Sequence, residues 1–273
     1  MIGFNPKVIA QRRITITFTV LLLLVSFFIF RLLSWPKDSG FQTMLGTASF
    51  CFSFFVGVLA FIKFFTRKKN KYLFIGSGFL AVAALEGYSL FVSSQVGASL
   101  WTASRILLSA FSLLSLKNWR EVEGIQKNLG PRVFISAFIS TVIIIAAVTL
   151  LPSLNPYWRF LVFSRPFEFP AAIFFGLAAF VYFQKGYWGF KFFEFWFLLS
   201  LIAAFFTQIY MALSGEFFDS MFYAGQIFTI LSYLFALVGL LMSTYAAFKE
   251  VETEKKIHAG QTTGEYYLKH SKE

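Results

Sequence analysis

Two ionisable residues of opposite charge, Glu86 and Arg105, lie within long apolar stretches of the sequence. Charged side chains are costly inside a lipid bilayer, and those that occur there usually pair with one another or serve a function. At the rise of an α-helix, both residues lie roughly 10 Å from the same surface of the membrane. Only residues 93–97 separate the two stretches, so their helices must be antiparallel neighbours. We therefore expect a Glu86–Arg105 ion pair, acting either as a structural clasp or as a charge relay or ligand anchor.

The residue types that carry most enzyme chemistry are scarce. The chain has two histidines, His258 and His270, both near its C-terminal end, and one cysteine, Cys51, inside an apolar stretch. Histidine cannot therefore hold a metal or haem within the apolar part of the chain, and we interpret Cys51 as a small hydrophobic residue. The sequence contains no phosphate-binding loop and no hydrolase motif. We expect no catalytic residues, no metal, no cofactor and no enzyme activity.

The composition is that of a membrane protein. Hydrophobic residues make up 58% of the 273 residues, charged residues make up 14%, and the mean hydropathy is +0.69. A soluble domain needs more polar surface than this to cover its core. A helix of about 20 apolar residues spans a bilayer. The sequence therefore predicts an all-α polytopic bundle of about eight transmembrane helices, at Ile14–Leu33, Phe41–Phe61, Tyr72–Val92, Ala98–Leu116, Val133–Leu151, Phe167–Phe183, Phe192–Leu213 and Phe222–Phe248.

Basic residues predict the orientation of this bundle. Most of the 24 Lys and Arg residues fall in segments on the same side as the N-terminus. By the positive-inside rule both termini are then cytoplasmic, as an even number of helices also requires. We expect a multi-pass protein of the cell membrane, with residues 1–252 forming the bundle and 253–273 a short polar tail. The net charge of +11 indicates attraction to anionic lipid of the bilayer, and no nucleic-acid partner is expected.

Four further polar residues lie in or at the ends of the predicted spans. Glu168 and Glu194 are near span ends, where a carboxylate can reach interfacial water, and we expect both to do so. Gln208 and Gln226 lie deeper, and we expect them to form hydrogen bonds between helices.

The last predicted helix has a dimerisation pattern. Leu237, Leu241, Phe248 and Val251 follow heptad spacing, and the pattern crosses from the membrane into the cytoplasm. It predicts a homodimer whose contact includes this helix, and it makes these four residues the candidate signalling seam. Gly260 is predicted to end the helix.

Three segments resemble a known family. They are RKKNKYLFIGSGFLAVAALEGYSLF from Arg67, SRPFEFPAAIFFGLAAFVYFQKGYW from Ser164, and FFDSMFYAGQIFTILSYLFALVGLLMSTYAAFKEVE from Phe217. In these segments the chain resembles a membrane-associated sensor domain of the MASE type, found in bacterial and archaeal signalling proteins. Glu86 corresponds to an acidic residue of the third span in that family, whereas the family's histidines in the third and last spans are absent here.

The resemblance implies a sensory input module that passes a signal through its last helix. It also implies a histidine kinase or a diguanylate cyclase as effector, and no effector domain follows in this sequence. The effector is then a cytoplasmic kinase or cyclase partner in trans, or the chain is a fragment of a longer signalling protein. A transporter or channel, and a structural membrane-assembly protein, are the alternative functions.

Overall fold

A computed structural model describes residues 6–33, 39–117, 126–150, 163–184, 192–216 and 219–270. These residues form eight α-helices, and a short 3-10 turn, Pro166–Glu168, precedes the sixth. The helices are α1 Pro6–Leu32, α2 Ser39–Arg67, α3 Asn70–Ser89, α4 Ser94–Leu114, α5 Gln126–Leu150, α6 Phe169–Gln184, α7 Phe193–Leu213 and α8 Ser220–His270.

Each helix contains a segment long and apolar enough to cross a membrane, once the 3-10 turn is counted with α6. The predicted all-α, polytopic, eight-helix fold is therefore confirmed. The sixth span starts at Pro166, one residue before the predicted start at Phe167. A proline suits this position because its fixed φ angle and its missing N–H are both tolerated in a first helical turn.

Contacts between helices show which helix ends lie together. The start of α1 contacts the end of α6 through the Arg12 guanidinium and the Phe183 carbonyl, 3.5 Å apart. The end of α2 contacts α8 through Lys63 and Ser243. We call this end of the bundle the terminal face, because α1 begins there and the membrane-spanning part of α8 ends there. Chain direction alone does not show which side of the membrane it faces.

The helices divide into an inner and an outer set. Most residues of the spans of α3, α4 and α7 are buried, whereas most of those of α1 and α5 are exposed. Apolar side chains on the exposed helices suit contact with lipid, which is as apolar as they are. Helix α1 packs mainly on α7 and α8, and Arg12 at its start also contacts Phe183 of α6. The inner set is therefore the part of the molecule that can hold buried polar groups away from lipid.

Small residues allow α2 and α3 to pack closely. A Cβ atom at Gly76 of α3 would lie 2.8 Å from the Phe61 ring of α2, and one at Gly87 would lie 3.0 Å from the Phe50 ring. Such spacing is typical of membrane helices whose backbones approach each other. It places the residues of α2 within hydrogen-bonding reach of α3.

Helix α8 is much longer than its membrane-spanning part. The span is Ser220–Lys249, and the helix continues without interruption to His270. At 1.5 Å per residue the extension is about 30 Å long. The prediction that Gly260 ends the helix is wrong. A glycine inside a helix costs only about 1 kcal/mol relative to alanine, and no proline follows that would stop the helix.

Candidate functional site

A cluster of buried polar side chains crosses the inner helices at the level of Glu86. We call it the central cluster, and its members come from α2, α3, α4, α7 and α8. They are Ser49, Glu86, Arg105, Thr207, Gln208, Thr229, Ser232 and Tyr233, none of them more than 3% exposed.

Glu86 joins three helices. Its carboxylate accepts a hydrogen bond from Ser49 Oγ of α2 at 2.9 Å and one from the Tyr233 hydroxyl of α8 at 3.0 Å. Each carboxylate oxygen thus has a neutral donor, and the side chain is only 2% exposed. Hydrogen bonds to an ionised carboxylate are stronger than those between neutral groups. The carboxyl group of Glu86 is therefore a direct hydrogen-bonded link between α3 and α8.

Arg105 also binds α8. Its Nη1 donates to the Trp101 carbonyl of its own helix at 3.0 Å, and its Nη2 donates to Thr229 Oγ1 at 2.9 Å. Thr229 and Tyr233 are one helical turn apart on α8, so this turn contacts both buried ionisable groups. The Arg105 charge acts on Glu86 at longer range.

The direct Glu86–Arg105 ion pair predicted from the sequence is not formed. The two residues do share one buried layer, as their depth in the membrane implied, but each is hydrogen-bonded to its own partners. The reason is helix rotation: loop length fixes which helices are neighbours and how deep a residue lies, whereas the direction of a side chain depends on packing against further helices.

A small cavity adjoins the central cluster. It is about 10 Å³ in volume and lies among α4, α6, α7 and α8, which is about the space that one water molecule needs. Three of its lining residues carry a buried polar atom that has no hydrogen-bond partner among the described residues: Arg105 Nε, Thr207 Oγ1 and Gln208 Oε1. These atoms comprise a donor, a hydroxyl and an acceptor. The lining can therefore hold a water molecule or another very small polar species.

A second charged group lies closer to the opposite face. Arg165 Nη2 and Glu168 Oε1 form an ion pair of 2.9 Å, and Thr102 Oγ1 donates to the same carboxylate oxygen at 2.7 Å. Both charged side chains are 1% exposed. The prediction that Glu168 reaches interfacial water is therefore wrong. The 3-10 turn that begins at Pro166 brings the two residues together at a spacing of three and turns both towards α4.

Residues of α3 and α4 connect the two groups. Thr102, which binds the ion pair, follows Trp101, whose carbonyl binds Arg105. The Trp101 indole N–H donates to Ser89 Oγ at 2.8 Å, and Ser89 Oγ donates to the Glu86 carbonyl at 2.6 Å. Two carboxyl groups and two guanidinium groups thus belong to one buried network, which is linked in part through the backbone of α3 and α4. Their formal charges balance, which lowers the cost of holding them within the membrane.

The remaining predicted residues divide between the core and the surface. Glu194 forms an ion pair with Lys71 and keeps partial exposure, as its place at a span end implied. Gln208 donates to the Ala204 carbonyl of its own helix, so its predicted hydrogen bond between helices is wrong. Gln226 is buried, and its Nε2 has no partner among the described residues. Cys51 of α2 is partly buried.

The candidate signalling seam is only partly available to a second chain. Leu237 packs against the core of the bundle. Leu241 is 52% exposed and Phe248 is 72% exposed. The side chain of Val251 lies outside the described part of the structure, as do those of His258 and His270.

Sequence reasoning missed most residues of the network, including Thr229, Tyr233 and Arg165. Thr229 and Tyr233 are ordinary residues for a membrane helix, so their types gave no signal. Arg165 was assigned to a loop. Its spacing of three from Glu168, with a proline between them, was the signal that could have identified the ion pair.

The fold and the site together define the class of protein: an all-α, multi-pass membrane protein with a charge-balanced polar network in its core. Comparison with protein-family models, with curated protein sequences and with solved structures found no match in any of the three. The resemblance to sensor domains therefore rests on the residues of the sequence alone.

Proposed function

We propose that this protein is a sensory input module of the cell membrane, which detects a stimulus within or at the membrane and passes it through α8. One observation carries this proposal. The same helix that is hydrogen-bonded to Glu86 and Arg105 inside the bundle continues as an unbroken helix well beyond its span.

The mechanism follows from the position of Tyr233 and Thr229 on α8. A stimulus that changes the hydrogen bonding of Glu86 or Arg105 changes the free energy with which α8 is held in its present position. Such a stimulus is a proton, a water molecule or another small polar species, as the size of the adjoining cavity indicates. A signal requires that the stimulus favour one of two arrangements of the helix over the other. Because α8 is continuous, a rotation or shift at Tyr233 is carried to the extension.

The proposal includes an orientation and partners. The distribution of basic residues supports cytoplasmic termini, which would place the extension of α8 in the cytoplasm. The exposed Leu241 and Phe248 support a homodimer contact along α8. The resemblance to MASE-type domains supports a cytoplasmic kinase or cyclase as the partner in trans. In this reading the chain itself has no enzyme activity.

A transporter is the second candidate, because four buried ionisable groups in one network also occur along ion pathways. The cavity at the central cluster favours the sensor, since its volume of about 10 Å³ would hold a water molecule but not a hydrated ion or a metabolite. Flux measured in proteoliposomes that contain the purified protein distinguishes the two functions.

The test of the sensor proposal measures whether α8 responds to the central cluster. Spin labels are placed on Arg13→Cys of α1 and Lys249→Cys of α8, both exposed at the terminal face, in a Cys51→Ala background. We expect Glu86→Gln and Tyr233→Phe to shift or broaden the distance distribution between the labels. Thr141→Val is the matched control, because its buried hydroxyl donates to the Ala137 carbonyl of its own helix and, within the part of the chain that the structure describes, does not reach the central cluster. Distances that are unchanged in both test variants would refute the coupling.

A further inference from the structure

A second cavity, lined by basic residues, lies at the terminal face. It has a volume of about 250 Å³ and lies between the end of α2, the starts of α3 and α7, and α8. Four cationic side chains and one carboxylate line it. They are Lys63, Arg67, Lys69, Lys71 and Glu194.

Lys63 is the most informative of these residues. It is 7% exposed, its ammonium group donates to the Ser243 hydroxyl of α8, and it lies 5.0 Å from the centre of the Tyr72 ring. Both partners are neutral, and no described carboxylate forms an ion pair with it. A buried charge is costly unless an opposite charge accompanies it. The surroundings of Lys63 therefore favour an anion.

The carboxylate of the cavity does not serve as that anion. Glu194 forms its ion pair with Lys71 and not with Lys63. The four cations and the one carboxylate of the lining together carry a formal net charge of +3. This net charge is concentrated on a concave surface with low-dielectric walls, which strengthens its attraction for small anions.

We propose that this cavity binds a phosphate group. Lysine and arginine are the usual ligands of phosphate oxygens, and the volume is many times the roughly 10–15 Å³ that one water molecule needs on the same measure. Lys63, Arg67 and Lys69 supply the charge. The proposal goes beyond the sensory function and does not depend on it.

The site has a mechanical consequence. Its wall includes Ser243, Ala246 and Ala247 of α8, while its cations come from α2 and α3. A bound phosphate would therefore join α8 to α2 and α3 at the level where α8 leaves the membrane.

The phosphate group has two available sources, a soluble anion or the headgroup of an anionic phospholipid. The experiment separates them by using purified protein in nanodiscs of phosphatidylcholine, with inorganic phosphate titrated against chloride at constant ionic strength. A second arm replaces part of the phosphatidylcholine by phosphatidylglycerol and omits inorganic phosphate. Thermal unfolding is measured in both arms, since a ligand that binds only the folded state raises the unfolding temperature.

Lys63→Gln and Lys69→Gln are the test variants, and Arg132→Gln is the control. Lys63 is buried, and its substitution could disturb the packing of the bundle. Lys69 is exposed, so its substitution tests the site without that effect. Arg132 is an exposed cation near the terminal face on α5 and does not line the cavity. For a soluble anion we expect the Kd for phosphate to rise by about tenfold to a hundredfold in each test variant, and to stay unchanged in the control.

The two arms of this experiment distinguish a soluble ligand, a lipid headgroup and the absence of a phosphate site. Stabilisation by inorganic phosphate that requires Lys63 and Lys69 supports a soluble ligand. Stabilisation by phosphatidylglycerol alone, with the same requirement, supports a lipid headgroup. Stabilisation by neither, or stabilisation that is the same in the wild type, both test variants and the control, would overturn the proposal.

Discussion

The two pairs of buried charges are expected to respond differently to substitution, and the comparison tests the network directly. Arg165 and Glu168 are in contact at 2.9 Å and are almost completely buried. Removing one partner of such a pair leaves an uncompensated charge and typically costs roughly 3–5 kcal/mol. We therefore expect Arg165→Gln and Glu168→Gln each to lower the free energy of unfolding by about this amount. The double mutant should be no less stable than the poorer single variant, because neither charge is then stranded.

Glu86 and Arg105 provide the contrasting pair. Each is hydrogen-bonded to neutral groups and not to the other. Loss of a hydrogen bond to an ionised group costs about 1.5–3 kcal/mol, so Glu86→Gln and Arg105→Gln should each be destabilising. Their effects should be nearly additive, with a coupling energy of roughly 1 kcal/mol or less, whereas the coupling between residues 165 and 168 should approach about 3 kcal/mol.

The assay is unfolding of the purified protein in mixed micelles, with helicity as the readout. It compares the wild type with the four single variants and the two double mutants, one for each pair. The unfolding of helical membrane proteins in a denaturing detergent retains much helix, so a fluorescent reporter of tertiary structure is recorded in parallel. Equal coupling energies for the two pairs would refute the placement of these side chains. A large coupling for Glu86 and Arg105 together with a small one for Arg165 and Glu168 would restore the ion pair that the sequence predicts.

The remaining predictions concern topology, dimerisation and helix packing. Reporter fusions at Lys69 and Ser271 should indicate cytoplasm and one at Asn155 the outside; a cytoplasmic signal at Asn155 would contradict the eight-span orientation. In a Cys51→Ala background, cysteine at Phe248 should cross-link between subunits more readily than cysteine at Lys249. Equal yields would contradict a homodimer contact along the candidate signalling seam. Gly76→Leu should lower the unfolding temperature by several degrees, because the added side chain meets the ring of Phe61; an unchanged temperature would mean that α2 and α3 are further apart.

The sequence was sufficient for the parts of the fold that depend on hydropathy. Apolar runs of sufficient length mark eight spans, and the depth of Glu86 and Arg105 within their runs places them in one layer. Both results follow from one-dimensional quantities, the length of a run and the distance of a residue from its end.

The rest of the site depends on helix rotation and on contacts between distant segments. Tyr233 and Glu86 are 147 residues apart, and Arg105 and Thr229 are 124 apart. Nothing in the type or spacing of Tyr233 distinguishes it from tyrosines that line the membrane surface. Glu168 was placed in interfacial water because only its distance from the span end was considered. Its actual position depends on a partner, Arg165, that the 3-10 turn brings into the core.

Helix α8 contributes residues to the central cluster and also to the wall of the cavity that Lys63 lines at the terminal face. The proposed sensory function and the proposed phosphate site are therefore thermodynamically linked. Tyr233 and Ser243 are separated by about 15 Å along the helix, so a displacement of α8 as a rigid element alters both sets of contacts. An anion that binds more tightly in one position of α8 must then change the hydrogen bonding of Glu86, and a change at Glu86 must change the affinity for the anion by the same factor. Phosphate bound in the cavity at the terminal face would therefore change how strongly the central cluster responds to its stimulus. The stimulus must overcome the free energy that the bound phosphate contributes to holding α8 in its present position.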